Sequence, residues 1–215
     1  MTGESPSSVA GAPVAWHEPS VVQPGGREPA PGELALAQAF INSHYDLEVE
    51  HGVDLFATPA GLASWLTRRG LLPRRATVAL SRRDARRAVA AREGLRELAA
   101  MNGTRASSGG QPAIAALNRA AHGAAIEIQF TDGGLRFVPA AHTGLDGALA
   151  PVLAITARAM IDGSWSRLKV CPGEHCGWAF YDHSRNLSGR WCSMAVCGGR
   201  VKARTHYRQR AGGSD

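Results

Sequence analysis

Apolar residues first recur with helical spacing at Leu34, Leu36, Ala37, Phe40 and Ile41, which predicts a short helix ending near Asn42. After an acidic stretch (Asp46, Glu48, Glu50, Asp54), Thr58-Pro59 supplies a capping side chain and a proline suited to the first helical position. Leu62, Trp65 and Leu66 give that second helix its apolar face, and Gly70 stops it. Ser81 caps a longer helix over about 82–101, with Ala85, Ala88, Val89, Leu95 and Leu98 inward and six arginines from Arg82 to Arg96 on the remaining faces. A Gly/Ser-rich loop at 103–111 precedes another helix at 112–122. The run 125–130 then alternates as a half-buried strand does, turns at Thr131-Asp-Gly-Gly and pairs back through Leu135-Arg-Phe-Val. Residues 149–161 read as the last helix of this part.

These elements predict an α+β chain in three parts. Residues 1–32 are rich in Pro, Gly, Ser and Ala and read as a disordered tail. Residues 33–163 form a mainly helical domain with one small antiparallel hairpin. Residues 164–210 form a module too short to bury much core, so it needs a staple. No apolar run is expected to span a membrane, and the N-terminus shows no basic stretch followed by an apolar one, so a cytoplasmic protein is expected.

Charge and cysteine usage set the C-terminal segment apart. The chain carries a net charge of +6, yet residues 167–210 hold nine Lys/Arg against Glu174 and Asp182, so the basic excess lies there. All four cysteines lie there too, as Cys171-x4-Cys176 and Cys192-x4-Cys197. Two close pairs separated by a loop let four thiolates converge on one Zn²⁺, and four such ligands leave no open position, so the zinc is read as structural. An iron–sulfur cluster is the alternative occupant, and His175 or His183 could replace one cysteine as a ligand.

The chain after Cys197 reads as a helix that places Arg200, Arg204 and Arg208 in one stripe, flanked by Lys202 and Arg210. Arg185 and Arg190 come from the preceding loop. Such a surface suits phosphate backbones, whereas Trp178, Phe180, Tyr181 and Trp191 serve either core packing or stacking on unpaired bases. A knuckle, a hairpin, a second ligand pair and a helix, in that order, suggest a treble-clef-like or zinc-ribbon-like module. In the N-terminal part, the space near Phe40, Asn42 and Trp65 is the expected place for an unknown small-molecule effector, with Asn42 as a helix cap being the other reading. No GxSxG, HExxH, P-loop or GxGxxG opening a helix occurs, so an enzyme is not expected.

The residues Cys171-x4-Cys176, Phe180, Asp182, Ser184-Arg185-Asn186, Arg190-Trp191-Cys192-Ser193-Met194 and Cys197-Gly198-Gly199-Arg200-Val201-Lys202 resemble the CGNR zinc finger. In that family the module follows a domain called ABATE, whose opening helices resemble Phe40-Ile-Asn42 and Asp54-Leu-Phe-Ala-Thr-Pro through Trp65-Leu66. Position 199 is Gly where the family has Asn, which puts any contact of that Asn in doubt. The resemblance implies a bacterial stress-response transcriptional regulator that binds nucleic acid, DNA ahead of RNA. The N-terminal domain would sense a ligand or form a homodimer. An RNA-binding protein and a protein-interaction module with purely structural zinc are the competing readings.

Overall fold

The computed structural model describes residues 23–44, 54–74, 79–103, 110–140, 143–174 and 176–200. Helix α1 (Leu34–Ile41) ends at Asn42. Helix α2 (Pro59–Arg68) starts at Thr58, whose hydroxyl accepts from the Gly61 N–H at 3.1 Å. Helix α3 (Arg82–Ala100) opens on a reciprocal cap, Ser81 bonding the Asp84 N–H and Asp84 bonding back to Ser81. Helix α4 (Gly110–Ala121) packs against α3 at Gly94, where a Cβ would lie 2.4 Å from the Leu117 Cβ. Only a residue without a side chain lets the two helices approach so closely.

Strands β1 (Ile126–Thr131) and β2 (Gly134–Pro139) form an antiparallel hairpin and lead into α5 (Gly144–Ile161). Helix α5 begins earlier than its apolar pattern predicts and carries Pro151 inside it. Burial of Leu145, Ala148, Leu149 and Val152 outweighs the hydrogen bond that Pro151 cannot donate. The expectation that no apolar run reaches membrane length is corrected here. Gly144–Ile161 is long and apolar enough, but more than half of it is buried inside the protein, as in a core helix. A second antiparallel hairpin, β3 (Leu168–Val170) with β4 (Ala179–Tyr181), completes the described elements before the last turn.

The main core gathers α1 to α5 around Phe40, Phe56 and Trp65, whose ring centroids lie 5.2 to 5.7 Å apart. It also takes in Leu168, Val170, Ala179 and Tyr181, so the C-terminal hairpin shares the helical part's core.

The arginines of α3 do not all decorate its outside. Arg92 is only 1 % exposed and grips Asp54 through two bonds of 2.6 and 2.9 Å, with its guanidinium over the Phe56 ring. Burial acts to raise the Asp54 pKa, but bonds from Arg92 and the Phe56 N–H outweigh it and hold the carboxyl below its ordinary value. Arg82, Arg83 and Arg86 stay exposed.

Candidate metal centre

The hairpin β3–β4 has two faces, and its period of two decides what each does. Leu168, Val170, Ala179 and Tyr181 point into the main core. Phe180, with Trp178 and Cys171 beyond the strand ends, joins a separate small cluster with Cys176, Cys192 and Cys197. The Cys171 N–H donates to the Trp178 carbonyl at 2.9 Å and carries the ladder one residue into the first knuckle. Cys197 lies in a wide helical turn, Met194–Gly198, and Cys192 just before it; Ser193 caps the turn, which closes through Gly198 N–H to the Ser193 carbonyl at 3.1 Å. The five-residue advance of that turn is what the x4 spacing needs to return the second sulfur beside the first.

The four sulfurs lie within 4.8 Å of one another, all buried. Cys176 and Cys192 are 3.7 Å apart at sulfur, and Cys192 and Cys197 3.6 Å. A disulfide needs about 2.05 Å, whereas a tetrahedron with Zn–S near 2.3 Å sets its sulfurs about 3.8 Å apart. By themselves the thiols resist common ionisation. Hydrogen bonds from Cys176 and Cys192 pull Cys171 down to about 2. The hydrogen bond to Cys171 pushes Cys176 up to about 12 and raises Cys192 as well, and burial raises Cys197. Four thiolates in this space require a cation between them. The donors, spacing and burial fit one structural Zn²⁺ held by Cys171, Cys176, Cys192 and Cys197, with no fifth position offered to water. His183 is exposed and its Nε2 lies near the Glu28 and Pro29 carbonyls, 3.3 and 3.1 Å away, so it is no ligand. His175 lies outside the described residues.

Around the metal ligands sits a polar frame that the sequence did not reveal. Lys169, buried on the metal side of β3, pairs with Asp182 at 2.7 Å and also donates to the Leu187 and Gly189 carbonyls. Asp182 accepts in addition from the Ser184 N–H and hydroxyl and from the Gly189 N–H, and so ties down the loop that carries Arg185. Burial acts to raise the Asp182 pKa, but Lys169, Ser184 and Gly189 together bring it down to about 2. Arg167 donates to the Asp182 and Ser184 carbonyls. Among the described residues, Arg167 and Lys169 are therefore engaged inside the module.

The expected tail is corrected over residues 23–32. Gln23 is buried, and its Oε1 accepts from the Trp178 indole N–H at 3.0 Å and from the Gln38 amide at 3.1 Å. Arg27 lies over the Phe180 ring and donates to the carbonyls of Tyr181, Trp191 and Cys192 at 3.2, 3.0 and 3.1 Å. Gly25, at φ +71°, passes so close to Ser193 that a Cβ would sit 2.5 Å from its Oγ. The segment is a strap across the metal module. Its sequence signal was thin: no periodicity, and a Pro-Gly-Gly run that reads as linker.

The three residues of the expected effector site, Phe40, Asn42 and Trp65, are all buried. Phe40 and Trp65 are packed ring against ring in the core. Asn42 does end α1, as the capping reading had it, but its side chain works on Ala179. It accepts the Ala179 N–H at 2.7 Å and donates to the Ala179 carbonyl at 2.8 Å, mimicking a neighbouring strand along β4. Gln38, one turn earlier, donates to the same carbonyl at 3.0 Å. Arg96 of α3 joins the Ile41 and His44 carbonyls to that of Gly177, just past Cys176. Trp178, Phe180 and Tyr181 are buried, and Trp191 is half-buried with the Arg190 guanidinium 5.0 Å from its ring. Arg185, Arg190 and Arg200 are exposed. Lys202, Arg204, Arg208 and Arg210 lie outside the described residues.

The fold and the site thus define a structural four-cysteine zinc module clamped onto a mainly helical domain. Two family models match the chain: the CGNR zinc finger over residues 167–210, and ABATE, described as "Putative stress-induced transcription regulator", over residues 34–163. The chain belongs to the ABATE family, with a C-terminal CGNR zinc finger. A comparison with curated proteins gave no match.

Proposed function

We propose that this protein is a cytoplasmic DNA-binding transcriptional regulator and not an enzyme. Zinc builds the module, and the basic segment after Cys197 meets the duplex. The observation that carries the reading is the exposure of three arginines on the zinc module. Lys169 and Arg167 bond inside the module, and Arg185, Arg190 and Arg200 are exposed on it. Lys202, Arg204, Arg208 and Arg210 continue the basic run in sequence. Guanidinium groups suit phosphate oxygens, with Arg200, Arg204 and Arg208 the residues for phosphates or base edges. The family description as a transcription regulator agrees with this use. Burial of Trp178, Phe180 and Tyr181 removes most of the stacking platform that single-stranded RNA would want, which favours DNA.

The test is fluorescence anisotropy of the zinc-loaded protein with random duplex DNA and with single-stranded RNA, at two salt concentrations. An Arg200/Arg204/Arg208→Ala variant that still holds zinc is the control. Duplex binding should weaken with salt, and the variant should lower the log–log salt slope by roughly 3, at about 0.9 per lost phosphate contact. A preference for RNA moves the reading to RNA, and no binding to either at low salt overturns it in favour of a protein partner.

A further inference from the structure

The hairpin β1–β2 is built with one apolar side, and that side is left open. In its register Ile126 stands opposite Pro139, Ile128 opposite Phe137 and Phe130 opposite Leu135, so these residues share a face. The other face takes Glu127, Gln129, Thr131 and Arg136, with Val138 half-buried at its root. The root is held, since Ile126 packs on the main core and β2 runs beside α5. Toward the tip the apolar face meets water, with Phe130 83 %, Ile128 55 % and Leu135 51 % exposed. The alternation in sequence predicted a half-buried strand pair, and among the described residues nothing covers this half. Two strands alone are marginally stable, and an amphipathic pair normally lays its apolar side on something.

We propose that the cover is the same hairpin of a second copy of this chain, packed apolar face to apolar face about a two-fold axis. Charge placement selects this occupant. A two-fold contact sets one patch against itself, so any charge near its centre would oppose its own kind. This face carries none. Glu127 and Arg136 lie on the outer side and Asp132 at the turn, so two hairpins can close without burying an unpaired charge. The area agrees. The exposed parts of Phe130, Ile128 and Leu135 amount to roughly 400 Å² per copy, at about 200 Å² for each full side chain. Two copies thus remove roughly 800 Å² through these side chains alone, towards the ~1,200 Å² at which standard interfaces begin. Phe137 and the hairpin rims lie next to the patch to supply the rest. The pair would carry two zinc modules, and its formation does not depend on what they bind.

The experiment is sedimentation velocity of the full-length, zinc-loaded chain between about 1 and 50 µM, a range in which a standard-size interface is populated. A species of twice 22.7 kDa is expected. Phe130→Glu and Leu135→Lys change exposed side chains on different strands, and each should weaken the pair by at least about 30-fold, the effect of losing one central anchor. Zinc content and the far-UV dichroism spectrum should stay unchanged in both variants. A wild-type monomer at the top concentration overturns the proposal, as does a dimer that survives both substitutions. Should one variant lose zinc or unfold, the other decides.

Discussion

Replacing Arg27 by alanine removes one side chain from outside both matched family segments, yet it should loosen the metal module. The guanidinium makes three hydrogen bonds, to Tyr181, Trp191 and Cys192, and lies 4.8 Å from the centre of the Phe180 ring. Charged hydrogen bonds contribute about 1.5–3 kcal/mol each when fully buried, and a cation–π contact about 0.5–1 kcal/mol near the surface. Arg27 is half-buried, and water can reach the freed carbonyls, so we expect a net loss of about 2–4 kcal/mol. In a chain of this size that lowers the midpoint by roughly 4–16 °C. The Cys192 carbonyl belongs to a zinc ligand, so the rate at which a chromogenic chelator strips the metal should rise with it. Arg27→Lys keeps the charge but lacks the fork that spans three carbonyls, and should recover only a minor part. An Arg27→Ala protein with an unchanged midpoint and an unchanged zinc-release rate would refute the view that the strap holds the module.

Two further outcomes follow from the same frame. Asp182 has a folded pKa of about 2 against an ordinary 3.8, so its ionised form contributes on the order of 2 kcal/mol. The sign for a depressed carboxylate places that stability above pH 4, with loss as pH falls from about 4 towards 2. The stability gap between wild type and Asp182→Asn, followed by denaturant unfolding, should therefore be full at pH 6 and shrink below pH 4; a gap that stays constant across that window contradicts the assignment. Native mass spectrometry should find one zinc per chain and none in Cys192→Ser. Far-UV dichroism of that variant should keep its helical signal, because the core of α1 to α5 does not include the ligands. Bound iron with visible absorption would refute zinc.

Much of this protein was legible in its sequence because the signals were local. Thr58-Pro59 and Ser81 fixed where two helices start, since caps act within one turn. The four cysteines announced their own convergence, because few other arrangements of clustered thiols are chemically useful in so short a segment. The strand alternation at 126–139 was correct about which residues share a face. It could not say whether a partner element covers that face, because coverage is a property of the rest of the fold.

The tertiary structure decided the remainder, and each case has the same physical root. Gln23, Arg27, Gln38, Asn42 and Arg96 owe their roles to main-chain groups far along the chain, at Ala179, Cys192 and Gly177. A carbonyl is present at every residue and leaves no mark in the sequence, so side chains that bind main chain cannot be matched to partners by spacing. Arg92 looked like surface charge until Asp54 was placed beside it, and Lys169 was only part of a basic excess until Asp182 was. Composition and local periodicity determined a helical domain followed by a zinc module. Only the three-dimensional fold showed that the two share one core and one hairpin, and that a strap read as tail holds the metal turn, because burial is settled by contacts between segments far apart in the chain.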